Sequence, residues 1–333
     1  MKPTFLIAGK IQREYILPPA SFPILDSQGG NLLYAAGGLA VWDTHAGLLA
    51  RVGSDYPTEW LDELKNRGFE ISGIRVQPEP MDLRSFIAYT DKNEHSSSNA
   101  VSHFARRNLQ FPKSLLGYQP VDESQRDPRE IDPISPSALD VPKAFRDVAH
   151  VHICPLDFTS QSQLVNLFRG SNQTVSLDPA SSYMNPTFWR DLRIVLQGVK
   201  IFIPSEEEMR SLFWGETNDL WEMMQKISDY GPQIVVIKRG GMGQIVLDVE
   251  NKKRYEVPAY PSRMEDPTGA GDAFCGGFLV GYQKTKDPLM AALYGSVSAS
   301  LKIEGSGPFY PLTVIEGLAG ARLHALQQLA REV

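Results

Sequence analysis

Two cysteines, Cys154 and Cys275, are all that a chain of 333 residues contains, and neither has a metal-ligand partner at zinc spacing. A disulfide framework and a structural zinc site are therefore excluded as organising features, and a reducing cytoplasm is the expected setting. Lysine and arginine form only short runs, such as Arg106-Arg107 and Lys252-Lys253-Arg254, and the net charge is −6, so the electrostatic footprint of a nucleic-acid binder is missing. No apolar stretch reaches the length of a membrane span, and the one near Met1 is too short for a signal peptide, so no membrane partner is expected. Neither a Walker A pattern nor G-x-G-x-x-G occurs, which removes P-loop kinases and dinucleotide-dependent dehydrogenases. With 42% hydrophobic residues, the chain has ample material for a large core, and a small molecule is the partner that fits.

What is present is concentrated in Asp266-Pro267-Thr268-Gly269-Ala270-Gly271-Asp272, followed by small and apolar residues from Ala273 to Leu279. Gly269, Ala270 and Gly271 have almost no side-chain bulk, so their backbone N–H groups can converge on one point at a helix N-terminus, where a phosphate is stabilised. Asp272 stands beside that point. A carboxylate there opposes anion binding, yet it is the group that orients and deprotonates an attacking hydroxyl in phosphoryl transfer. The plainer alternative is a glycine-rich helix start in which Asp272 complements the helix dipole.

This stretch resembles the C-terminal signature of the PfkB (ribokinase-like) carbohydrate kinases. The resemblance implies transfer from ATP to a hydroxyl of a sugar, polyol or nucleoside, with Asp272 as base, Gly269, Ala270 and Gly271 around the moving phosphoryl group, and Mg²⁺ on the phosphates. Other landmarks follow in family order. Glu14 lies five positions past Gly9, where relatives carry an Asp that holds substrate hydroxyls; a solvated charge is the alternative. Gly29-Gly30 is similar to the substrate loop, and Tyr34 replaces the usual Asn four residues on, bringing a donor and a ring that could stack on a flat substrate. Gly37-Gly38 competes for the same role, with close helix packing as its plain reading.

Ser205-x-x-Glu208 stands where the family has Asn-x-x-Glu, so Glu208 is expected to organise magnesium waters, although a capping box explains the same residues. In Lys238-Arg239-Gly240-Gly241-Met242-Gly243, the resemblance implies that Gly240 and Gly243 let the backbone pass close to ATP while Lys238 or Arg239 meets a phosphate; a plain hairpin is the alternative. Ser205 and Thr268 join the nucleotide side. Asp266 is the candidate ligand of a monovalent cation, K⁺. Asp178-Pro179, at a strand end, resembles an Asp-Pro near the substrate and magnesium region of relatives.

The pattern of elements agrees with this resemblance. Phe5 to Ala8 is a short apolar run of the kind buried in a parallel sheet, and from Val148 onward strands and helices alternate in a βαβ rhythm. The expectation is an α/β, three-layer ribokinase-like fold with a mostly parallel central sheet and a small β-sheet lid, forming one domain over 1–333. The lid is placed at about 11–19 and 84–103, and a proline-rich insertion at about 108–142, where an extended surface segment or a functional flap would fit. Glu14, Tyr34 and Ser205 depart together from common family choices. They leave open a nucleoside or cyclitol kinase and a catalytically silent ligand-binding protein. A homodimer paired through the lid stays open beside a monomer.

Overall fold

The computed structural model describes residues 3–90, 94–120, 126–170 and 172–333. Positions 91–93 of the expected lid, 121–125 of the proline-rich segment, including Asp122 and Glu123, and 1–2 of the expected domain lie outside the described residues.

Phe5–Ala8 (β1) is buried at every position, as a continuous apolar run must be when a parallel sheet is covered on both faces. The chain then leaves the main sheet through Gln12–Leu17 (β2) and Ile24–Gly29 (β3), and re-enters it by way of Asn31–Ala40 (α1) at Ala46–Val52 (β4). Thr58–Asn66 (α2) leads to Glu70–Val76 (β5). Arg84–Tyr89 (β6), His95–Ser96 (β7) and Ala100–Arg106 (α3) return to the smaller sheet. The second half alternates His150–Ile153 (β8), Phe158–Phe168 (α4), Thr174–Leu177 (β9), Trp189–Leu196 (α5), Ile201–Phe202 (β10), Glu206–Leu212 (α6) and Leu220–Ser228 (α7). Ile234–Lys238 (β11), Gln244–Asp248 (β12) and Lys253–Val257 (β13) precede three helices, Ala270–Thr285 (α8), Pro288–Lys302 (α9) and Leu318–Gln327 (α10), and Arg331–Glu332 (β14) closes the edge.

The central sheet has ten strands in the order β14-β13-β12-β11-β10-β9-β8-β1-β4-β5. Neighbours from β11 to β5 run parallel, and β12, β13 and β14 add an antiparallel edge. Period-two alternation splits the strands between two cores: Leu6 and Ala8 face the layer of α4 to α7, while Phe5 and Ile7 face the layer of α1, α2 and α8. That is a three-layer α/β fold. Helix α1 lies so close to α8 that a Cβ on Gly38 would overlap the backbone of Ala273, and one on Gly276 would overlap the Ala35 carbonyl. Gly38 of the second glycine pair therefore serves close helix packing.

The lid is a four-stranded sheet in the order β3-β2-β6-β7. It is wider than expected, because β3 joins it and α3 ends its second segment. Tyr15, Leu17, Phe86 and Ala88 form one face, covered by Phe104 of α3 and by Leu115, with Leu109, Phe111 and Tyr118 packed around them. The described part of 108–142 is thus anchored rather than loose: it lacks strands and α-helices, but it backs the lid and sends Asp140 to Arg51 and Arg75 at 2.7 and 3.1 Å and Asp132 to Lys10 at 2.8 Å. Among the described residues no helix is long and apolar enough to cross a membrane.

Candidate active site

Three neighbouring strands deliver polar side chains to one edge of the central sheet. Asp178 follows β9, Ser205 follows β10, and Lys238 ends β11, with Ser205 and Lys238 paired in a parallel bridge. The crevice outside the carboxyl ends of parallel strands is where open α/β sheets bind ligands. Helix α8 points its N-terminus into it. Gly269, its cap residue, has φ 72°, and a Cβ there would overlap the ring of Tyr34, so both backbone and space require glycine. Its N-cap makes no side-chain hydrogen bond among the described residues. The Ala270 N–H turns back to the Pro267 carbonyl at 3.2 Å, so of the expected amides this one closes the turn, while the rest of the first turn carries the positive end of the helix.

Lys238 reinforces that end: a Cβ on Gly271 would sit 3.7 Å from its Nζ. The ammonium is ion-paired to Asp178 and lies 3.9 Å from the Cys275 sulfur, which is itself 3.4 Å from Asp178 Oδ2. Burial disfavours its charge, but Asp178, Cys275 and Glu208 outweigh that and hold its proton more firmly than usual. Asp272 occupies the first turn of α8. The residue is half-buried, and desolvation raises its pKa to about 8, the Asp178 charge adds to the rise, and Lys238 opposes it. Such a carboxyl is poised near neutrality, the range a general base needs.

Glu208 is held in a capping box, its Oε2 accepting from the Ser205 N–H at 2.7 Å while its own N–H donates to Ser205 Oγ at 3.2 Å. Burial, then Asp178, raise its pKa while Lys238 lowers it. Three carboxyl groups, Asp178, Glu208 and Asp272, share one lysine, and Asp178 Oδ1 has no hydrogen-bond partner among the described residues. That concentration of carboxyl groups fits a divalent cation, whose charge would favour their ionised forms. No group of His, Cys, Asp and Glu among the described residues is arranged to chelate one directly, so the fit is to Mg²⁺ that keeps its waters and its phosphate ligands. His150 and His152 are buried and uncharged at neutral pH, their pKa values falling to about 4 and about 3 chiefly through desolvation.

On the acceptor side, Glu14 projects from β2 and is buried. Its two oxygens are taken by the chain itself: Oε2 accepts from Tyr34 Oη at 2.6 Å and Oε1 from the Gly30 N–H at 2.8 Å. Desolvation lifts its pKa to about 7, and these two hydrogen bonds pull the other way. Gly29 lies against the same carboxyl, leaving no room for a Cβ. The structure corrects the expectation that Tyr34 offers a ring face to a flat substrate: the ring is 2% exposed, because the missing side chain of Gly269 makes the space it fills. Tyr89 of the lid reaches across to Thr268 Oγ1 at 3.0 Å, tying lid to signature loop.

Three expected residues have other neighbours. Arg239 binds Glu206 at 3.0 Å, and Gly240 lies in a 3-10 turn with open space beyond it. Gly243 packs under the Val257 carbonyl. Lys302 was missed by sequence reasoning, since a lysine at a helix end reads as an ordinary partner of the dipole. Its Nζ donates to the Asp266 and Gly305 carbonyls at 3.2 and 2.9 Å and stands 3.9 Å from Asp266 Oδ2, so the oxygens expected to ligate K⁺ already surround an ammonium and do not fit a second cation.

A crevice at the carboxyl edge, an open helix N-terminus and an adjacent carboxyl are the parts of a phosphoryl-transfer site, and comparison with known proteins agrees. The pfkB family carbohydrate kinases match over residues 135–314. The chain belongs to this family. It is 27% identical over 259 residues to a cytidine kinase of Thermococcus kodakarensis, covering 77% of this chain and 80% of that protein. Its fold is that of a ribokinase II from E. coli solved with ATP and Mg²⁺, at TM-score 0.71 and 20% identity, with 98% and 100% of the two chains covered. A Burkholderia thailandensis nucleoside kinase in complex with inosine superposes at TM-score 0.69 and 19% identity, covering 96% and 97%.

Proposed function

We propose that the chain transfers the γ-phosphoryl group of ATP to an alcohol of a sugar, polyol or nucleoside, with Asp272 as general base. The observation that carries this reading is the Asp272 carboxyl, with its pKa near 8, in the first turn of α8 beside the open helix end and Lys238. The acceptor hydroxyl gives its proton to the ionised Asp272 as its oxygen bonds to phosphorus. The bond from phosphorus to the bridging oxygen breaks, and the electron pair leaves with ADP. The first-turn amides of α8 other than that of Ala270, with the Lys238 ammonium, stabilise the charge on the moving group without reorganising, which is where most of the acceleration in such reactions arises. Bound Mg²⁺ would neutralise phosphate charge, with Glu208 and Asp178 facing its waters. The Gly240 to Gly243 turn, Ser205 and Thr268 fall to the nucleotide, and Glu14, Gly30 and the lid to the acceptor. The working unit in this reading is the whole chain, 1–333.

Nucleoside and sugar acceptors are both compatible with this arrangement. The nucleoside reading draws support from nucleoside-directed kinases among the similar proteins, the cytidine kinase and the inosine-bound nucleoside kinase being examples. An ADP-release screen over sugars, polyols, cyclitols and nucleosides, with product phosphorylation confirmed by mass, decides the class. ADP release with at least one acceptor is expected. ATP binding without turnover on any acceptor would replace the kinase with a silent binding protein.

A further inference from the structure

Lys302 ends α9 with none of its surface exposed. A lysine is almost never buried to that degree unless it is paired. Here the ammonium meets two main-chain carbonyls, of Asp266 and Gly305, at 3.2 and 2.9 Å, the Asp266 carboxylate at 3.9 Å, and the face of Tyr34, whose centroid is 5.3 Å away. Asp266 Oδ2 has no hydrogen-bond partner among the described residues, so the lysine charge is what answers it. The other oxygen, Oδ1, accepts the Thr268 N–H at 3.0 Å, and the Glu265 and Asp266 N–H groups both reach the Ile303 carbonyl, at 2.7 and 3.1 Å. One positive charge therefore joins the turn after α9 to the loop that delivers Gly269 and α8.

Two carbonyls, a carboxylate and an aromatic face are the surroundings that hold a desolvated monovalent cation. In this chain the charge at their centre is covalently attached. A free cation at the same place would lie against a buried ammonium with little water to screen the repulsion. We infer that Lys302 is a positioning residue that supplies this charge from within the chain, keeping the signature loop in its phosphoryl-binding shape so that neither folding nor turnover calls on an inorganic monovalent cation. The inference rests on the reading of Gly269 to Gly271 as the phosphoryl site.

The test uses the full-length protein in tetramethylammonium chloride free of other monovalent cations, exchanged at constant ionic strength for KCl or NH₄Cl. Wild-type kcat and melting temperature are expected to stay level, within about a factor of two in rate. Lys302→Ala, which opens the space, should lose about 10- to 100-fold in kcat with little change in KM for ATP, and should recover part of both rate and melting temperature in NH₄Cl or KCl. Lys302→Met, which fills the space without charge, should lose rate and show no recovery. Several-fold activation of wild type by KCl, a rise in its melting temperature with KCl, or full cation-free activity of Lys302→Ala would each overturn the inference. Should both variants fail to fold, the wild-type titration still decides. If no acceptor turns over, the kinase reading fails separately, and melting of wild type in KCl still reports whether a cation binds.

Discussion

At the proposed phosphoryl end of the crevice, the groups that would face an anion are main-chain amides of α8 and one lysine from β11; at the proposed acceptor end, Glu14 and Tyr34 bind each other across 2.6 Å. The first end depends largely on main-chain groups, so the presence of Gly269 and Gly271 with Lys238 and Asp272 would fix its chemistry. The second depends on side chains that satisfy one another before any substrate arrives. In the proposed reading an acceptor would compete with Tyr34 and Gly30 for Glu14, and this is where selectivity would be set. The reaction and the substrate are thus recorded in different materials.

Gly269→Ala is the change expected to break this contrast most severely. It combines φ 72° with a Cβ inside the Tyr34 ring, damaging both ends at once. We expect destabilisation above about 4 kcal/mol, checked by chemical denaturation, with turnover lost. Lys238→Met removes the charge at the phosphoryl end and leaves Asp178 unpaired; kcat should fall by about 100-fold. Because Lys238 holds the Asp272 pKa down, the residual kcat/KM profile should also move toward higher pH than the wild-type limb near 8. Tyr34→Phe sharpens the comparison from the other side. It removes a donor from Glu14, so the carboxyl should titrate above its present value of about 7, and KM for the acceptor should change about tenfold while KM for ATP stays level.

The smallest effect concerns stability. Native Asp272 keeps its proton up to about pH 8, whereas an unfolded aspartate releases it near the ordinary carboxylate pKa of about 4. Between those values the unfolded chain binds fewer protons, so this residue makes the fold less stable as pH rises. Asp272→Asn should therefore melt a few degrees higher than wild type at pH 8 and no higher at pH 4, as followed by circular dichroism. A stabilising substitution at the proposed base is the mark of a residue kept for function.

How much of this was legible in sequence follows from what each element depends on. Phe5–Ala8 was found to the residue because a strand buried on both faces is an unbroken apolar run between breakers. The start of α8 and the carboxyl-edge positions of Asp178, Ser205 and Lys238 were readable from strand ends and caps. Ile24–Gly29 was not, since it holds two apolar residues, has Asp26 at φ 58°, and pairs irregularly opposite Glu14 and Tyr15. The proline-rich segment gave its lack of helix but not its task of backing the lid, which depends on Leu109, Phe111 and Leu115 meeting β2 and β6. Tyr34 was visible as a departure, yet its burial comes from a glycine far along the chain. Lys302 left no trace at all, because only the tertiary fold surrounds a helix-end lysine with carbonyls.

The most direct test of Asp272 as base is single-turnover phosphoryl transfer by Asp272→Asn, beside ATP affinity of the same protein. The account predicts a loss of about 10²- to 10⁴-fold in the transfer rate with ATP affinity retained. Transfer at the wild-type rate by that variant would contradict it.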